Sequence, residues 1–310
     1  MAYIETKFQI RKRYAFLSIV VFVMFYFSNI ANSQTNVFPV KEMAAESKEA
    51  RKKGISPVKV AIIDSNFNGV DIVDFPGDIE AYDVISNSSN NVTKDIITQQ
   101  GNILSENNNH GTKVLREFME EYEFLRGEYQ PNVLLVKISS KNDNKGKVGS
   151  VQITKGIEYA VNNGADVINI SLGTLQKTKN VLKAIEYASN RGVIVVAASG
   201  NWGEDKKIDK KDMSVYAQSK GAIAVGAMDG DGKISTYTSG AGNSKLEFIA
   251  KPRFGSGTSL AAPIVSADVS VALEENQDMG EKSDINEIKK ELSAKEKIRY
   301  LYIKEAKNLL

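Results

Sequence analysis

Five short runs, Val58–Asp64, Val133–Ile138, Ala165–Ile170, Gly192–Ala198 and Ala222–Ala227, are nearly continuous in apolar, mostly β-favouring residues. A strand that is apolar on both sides must be covered on both faces, which is the environment of a parallel sheet. Segments of helical apolar spacing lie between the runs: Ile153–Asn162, carrying Ile153, Ile157, Ala160 and Val161, and Asn180–Arg191. The fold class this predicts is α/β, a three-layer sandwich with a mostly parallel central sheet. The Asn- and Ser-rich stretch 86–109 and the charged stretch 203–212 read as surface loops. No internal repeat interrupts the pattern.

Composition removes several function classes. Across 310 residues, 42% are hydrophobic and 25% charged, the balance of a globular protein with ample length for a core. With no cysteine there is no disulfide, iron–sulfur cluster or thiol nucleophile. A single histidine, His110, makes a two-histidine metal site impossible. The formal charge of +2 becomes −1 once residues 1–33 are set aside, so no nucleic-acid partner is expected. After the first strand, Asp64-Ser-Asn-Phe-Asn-Gly69 has neither the spacing nor the lysine of a phosphate-binding loop.

Residues 1–33 read as an export signal. Arg11-Lys12-Arg13 precede an apolar run of 14 residues, Tyr14–Phe27, short of the roughly 20 that span a bilayer as a helix. Ala31-Asn32-Ser33 then offers small side chains for a signal peptidase. The alternative is a retained membrane anchor, which would give the protein a membrane association through this segment. Either way the chain is expected to be exported: secreted, periplasmic or at the cell surface. Residues 34–55 form a charged lead-in, with a solvated helix over Val40–Lys53 that stops at Gly54. At the other end, Ser283–Leu292 carries Ile285, Ile288 and Leu292 at helical spacing, followed by a helical extension over 293–310.

Chemistry in an open α/β sheet collects beyond the carboxyl ends of the strands. Asp64 ends the first strand there, and Asn201 follows the strand that ends at Ala198. His110 starts a helix in His110-Gly111-Thr112, and Ser259 starts another in Gly257-Thr258-Ser259-Leu260-Ala261-Ala262-Pro263. A serine hydroxyl needs a base to take its proton, an imidazole is poised for that near neutral pH, and a carboxylate fixes the imidazole tautomer. A helix N-terminus and an asparagine amide can both donate to a developing oxyanion. Singly, each of these residues could be a cap or turn residue.

Together these segments resemble the subtilisin-like serine proteases, the subtilases. Val60-Ala-Ile-Ile-Asp64-Ser65 resembles the family's aspartate motif, and the histidine and serine segments resemble the other two, in the family's order. Ser199-Gly200-Asn201 resembles its oxyanion segment. Val167-Ile-Asn-Ile-Ser171-Leu172-Gly173 resembles the edge on which the family lays its peptide substrate. Further agreement lies at Gly127–Lys137, Tyr216-Ala217 and Val225-Gly226-Ala227, so that the resemblance covers 56–292, the expected catalytic domain.

The resemblance implies an exported serine endopeptidase acting through an acyl-enzyme. Asp64, His110 and Ser259 would be catalytic, Asn201 would hold the oxyanion, and Ser171, Leu172 and Gly173 would bind substrate. Partners would be polypeptides, and no cofactor is required for catalysis. A structural calcium is a further expectation, with oxygen ligands from loops 86–109 and 140–144. The alternative is a subtilase fold that has lost turnover and binds peptides or partners.

Four features depart from the family pattern. Asn66 stands where the family usually has glycine. The helix after His110 reads Lys113-Val-Leu-Arg-Glu-Phe-Met-Glu-Glu rather than small residues, which implies a repacked or more exposed helix. Only residues 253–256 separate Pro252 from Gly257, a shortened segment. The lead-in is too short and polar for the family's folded propeptide, so an enzyme independent of such an inhibitor is expected.

Overall fold

The computed structural model describes residues 58–67, 77–89, 92, 110–127, 130–139, 149–278 and 284–294. The signal 1–33, the lead-in 34–55 and most of the extension 293–310 lie outside them. Seven strands are present: β1 (Lys59–Asp64), β2 (Asp78–Asp83), β3 (Asn132–Lys137), β4 (Val167–Ile170), β5 (Ile194–Ala198), β6 (Ala222–Ala227) and β7 (Phe248–Ala250). They form one sheet in the order β2-β3-β1-β4-β5-β6-β7, with every neighbouring pair parallel. The helices are α1 (His110–Arg126), α2 (Ser150–Asn162), α3 (Lys179–Ser189), α4 (Thr258–Asp278) and α5 over 285–294.

Alternate strand residues face opposite layers, because successive side chains on a strand point to opposite sides. Val60, Ile62, Val133, Leu135, Val167 and Val196 pack with α1, α4 and α5. Ala61, Ile63, Leu134, Val136, Ile168 and Val195 pack with α2 and α3. The three-layer α/β sandwich is thus what the continuous apolar runs require. Its consequence for function is placement: β1 has β3 on one side and β4 on the other, so the chain's direction of travel across the sheet reverses there. Ligand crevices open at such a point.

Two strands escaped the sequence reading. β2 is an edge strand, Asp-Ile-Glu-Ala-Tyr-Asp, half of whose residues are acidic and only one of which is buried, and β7 is only three residues long. The segment 203–212 is a mostly exposed turn region, as expected. Among the described residues no helix is long and apolar enough to cross a membrane. The apolar run 14–27 lies outside them.

Helix α5 begins at a reciprocal cap. The Asp284 carboxylate accepts the N–H groups of Asn286 at 2.7 Å and Glu287 at 3.0 Å, and Glu287 accepts the N–H of Asp284 at 2.9 Å. Ile288 and Leu292 are buried in the α1/α4 layer, with Ile285 packed against it. Ile288→Ala should therefore destabilise the protein by about 2–5 kcal/mol, whereas exposed Lys290→Ala should change little. Urea unfolding of the two variants checks this.

Candidate active site

Asp64 is fully buried at the end of β1, where its carbonyl accepts the Ile138 N–H at 3.0 Å. Its carboxylate Oδ1 accepts the Ser65 N–H at 2.6 Å and the Ser65 hydroxyl at 3.1 Å. His110 Nδ1 lies 3.0 Å from Oδ1 and 2.9 Å from Oδ2. On the far side of the ring, His110 Nε2 lies 3.0 Å from Ser259 Oγ. A carboxylate can only accept, so Nδ1 carries the proton and Nε2 is left to accept from the serine hydroxyl.

Gly111 makes this approach attainable. A β-carbon there would fall 2.1 Å from the Asn66 carbonyl oxygen and 3.0 Å from Asp64 Cβ. No side chain fits, because the first turn of α1 rests directly on the turn that follows β1. The Asp64 charge raises the pKa of His110, opposed by burial and by the nearby Lys113.

Ser259 is the second residue of α4, and its setting follows from Pro263 four residues later. Proline has no N–H, so the Ser259 carbonyl lacks its helical partner. The Ser171 hydroxyl supplies one, donating at 2.6 Å. Asn169 Nδ2 donates to Ser171 Oγ at 2.9 Å, and Ser266 donates to Asn169 Oδ1 at 3.1 Å. A buried polar chain therefore ties β4 to the first turns of α4.

Two further bonds join α4 to the loop after β5. The Gly200 N–H donates to Thr258 Oγ1 at 3.0 Å, and the Thr258 N–H donates to Asn201 Oδ1 at 2.8 Å. Since a backbone N–H can only donate, the oxygen of the Asn201 amide faces the Thr258 N–H and its NH₂ faces away. A β-carbon on Gly257, which has φ +123°, would lie 3.2 Å from Asn201 Nδ2 and 3.5 Å from Ser259 Oγ. The amide and the hydroxyl thus flank one vacant point above the glycine.

His110, Ser259 and Asn201 line one cleft of about 340 Å³, and Asp64 reaches it only through His110, to which it is bonded. Ser171, Leu172 and Gly173 line it as well. The Ser171 hydroxyl is committed to the Ser259 carbonyl, so its side chain braces the site. Among the described residues no group of three or more His, Cys, Asp or Glu could hold a metal. Loops 93–109 and 140–144 lie outside them.

Two of the departures from the family pattern meet here. Helix α1 is repacked rather than exposed: Glu117 and Glu121 have no exposed surface. Glu117 Oε1 accepts the N–H groups of Arg253 and Phe254, each at 2.7 Å. Glu121 pairs with the Arg253 guanidinium, and the Arg116 guanidinium sits 3.8 Å over the Phe254 ring. Burial pushes the Glu117 pKa up, against the pull of the two N–H groups. Further along α1, the Tyr122 hydroxyl donates to Glu274 of α4 at 3.0 Å, and Arg126 pairs with the same carboxylate at 3.2 Å. The short segment that leads into Gly257 is thus clamped to the helix that starts with His110. Sequence reasoning missed Glu117, whose only signal was a glutamate seven residues after the histidine.

The subtilase family model matches residues 56–309. This chain belongs to the subtilases. Among its relatives, Subtilisin BL of Lederbergia lenta is 32% identical over 124 residues, 40% of this chain and 38% of that protein. The Thermophilic serine proteinase of Bacillus sp. (strain AK1) is 30% identical over 229 residues, 69% of this chain and 51% of that protein. This subtilase therefore spans about half or less of the curated relatives' length. Among solved structures, the Prenylagaramide maturation protease PagA superposes with a TM-score of 0.54 at 24% identity, covering 80% of this chain and 84% of that one. That likeness shows the fold.

Two outcomes follow for this subtilase. Because only neutral His110 can accept a proton, reaction of Ser259 with a fluorophosphonate should rise with pH through a midpoint above the ordinary imidazole value. Asp64→Asn should move that midpoint down and slow the reaction on the order of 10⁴-fold, measured as labelling rate against pH. Glu117→Ala leaves two N–H groups without their acceptor, and should cost about 2–5 kcal/mol of stability and slow labelling. Glu117→Gln, which keeps an acceptor oxygen, should retain most of both, as melting and labelling rates will show.

Proposed function

We propose that this subtilase is an exported serine endopeptidase that works through an acyl-enzyme. The observation that carries the reading is the unbroken chain from Asp64 through His110 to Ser259, with bonds of 2.9–3.0 Å beside the Asn201 amide. Ser259 Oγ attacks the carbonyl carbon of the scissile peptide while its proton passes to His110 Nε2. Negative charge gathers on the carbonyl oxygen at the point above Gly257. Asn201 Nδ2 donates to it there, together with the Ser259 N–H, which has no helical partner this early in α4. Asp64 stabilises the imidazolium. His110 then returns the proton to the leaving amine, and the acyl-enzyme is released by a water that His110 activates.

Export rests on the basic and apolar character of residues 11–27 and on kinship with subtilisins. Polypeptides are the substrates on the ground of that kinship alone. Calcium enters only as a structural ion held by loops 86–109 and 140–144, and an unchanged melting temperature in chelator would remove it. The rival reading, a fold kept for binding alone, gives no reason for Ser259, His110 and Asp64 to stand in hydrogen-bonded register.

Incubation of the purified chain with casein and with an alkyl fluorophosphonate tests the proposal. Wild type should digest casein and label at Ser259, and Ser259→Ala and His110→Ala should each abolish nearly all of both. Labelling that persists in Ser259→Ala, or a wild type that labels at no pH, overturns it.

A further inference from the structure

Beside Ser259 the cleft forms a slot walled by two stretches of backbone, 171–173 beyond β4 and 198–201 from the last residue of β5 onward. Ser214 closes the slot underneath. Its N–H donates to the Ser199 carbonyl at 2.7 Å, and its hydroxyl oxygen accepts the Thr174 N–H at 3.3 Å. The Val215 N–H adds a bond to the Thr174 carbonyl at 2.9 Å, so both walls are pinned to one floor.

Each wall presents a glycine, and the space their missing side chains leave is taken. A β-carbon on Gly200 would fall 2.2 Å from Trp202 Cζ3 and 2.5 Å from Cε3. One on Gly173, from the opposite wall, would fall 3.3 Å from Trp202 Cη2. The benzo edge of the indole therefore bridges the slot from wall to wall. Backbone geometry holds it there: Gly200 has φ +107°, and the Trp202 N–H donates to Ser239 Oγ at 2.8 Å.

Chemistry decides which part of a substrate meets this slot. His110 must protonate the leaving amine, so that half of the peptide lies toward His110. The acyl half lies away from it, along 171–173 and 198–202. The side chain next to the scissile carbonyl on the acyl side is thus the one that faces Trp202.

We propose that Trp202, by filling the slot between Gly173 and Gly200, restricts this subtilase to substrates with a small residue on the acyl side of the scissile bond. Glycine, alanine and serine fit beside the ring; leucine or phenylalanine would overlap it. The inference rests on the endopeptidase reading above.

Peptidyl diphenyl phosphonates that differ only in carrying alanine or phenylalanine at that position, with an alkyl fluorophosphonate as reference, test it on the full chain. Wild type should react at least about 10-fold faster with the alanine probe, the scale on which a pocket discriminates side-chain size. Trp202→Ala should reverse the preference. A wild type that labels with the fluorophosphonate yet reacts as fast or faster with the phenylalanine probe overturns the assignment of Trp202 alone. So does a Trp202→Ala variant with the wild-type ratio. Absence of labelling by any probe overturns the endopeptidase reading and this inference with it.

Discussion

Asp64 has no contact with solvent, and a carboxylate in that position is tolerable only if its charge is answered at once. The answer comes from the Ser65 N–H and hydroxyl and from the imidazole of His110, all within 3.1 Å. That demand orders much of the neighbourhood. Helix α1 must start where its first side chain reaches the end of β1. Its second residue must be glycine, because the helix then runs against the Asn66 carbonyl. The central place of β1 in the sheet supplies the burial that makes the demand strict.

The same helix also holds the Ser259 side of the cleft. Along α1 there are three successive polar ties to α4 and the segment before it: His110 to Ser259, Glu117 to the 253–254 backbone, and Tyr122 with Arg126 to Glu274. Buried polar ties are worth having only when their groups are matched, and they then fix geometry that apolar packing leaves free to slide. Charged residues on α1 and a shortened segment before Gly257 look like separate irregularities in sequence. In space they are the two halves of one clamp.

The sequence disclosed elements whose physics is local and regular. β6 matches its apolar run residue for residue, and Asp64, His110, Ser259 and Asn201 stand at strand or helix ends where function concentrates. What it concealed depends on partners distant along the chain. β2, with its acidic alternation, becomes a strand only because β3 offers it an edge. Glu117 reads as a solvated helix residue until the 253–254 backbone arrives over it. Trp202 follows Asn201 with no periodic signal, and its role is visible only once Gly173 from another segment lies across from it. Ser171 was legible as a position beside the cleft, but not as the hydrogen-bond donor that Pro263 makes necessary.

That last pairing bears on motion. Helix ends ordinarily fray, since their outermost turns are held by few bonds. The first turn of α4 gives up one of its own bonds to Pro263 and takes a replacement from β4, in the middle of the sheet. Fraying there would have to disturb Ser171, Asn169 and Ser266 together, all of them buried. Ser259 is accordingly tied to the sheet rather than left to the looseness of a helix terminus. Its hydroxyl can turn about its own bond, while the backbone that carries it stays as quiet as the interior.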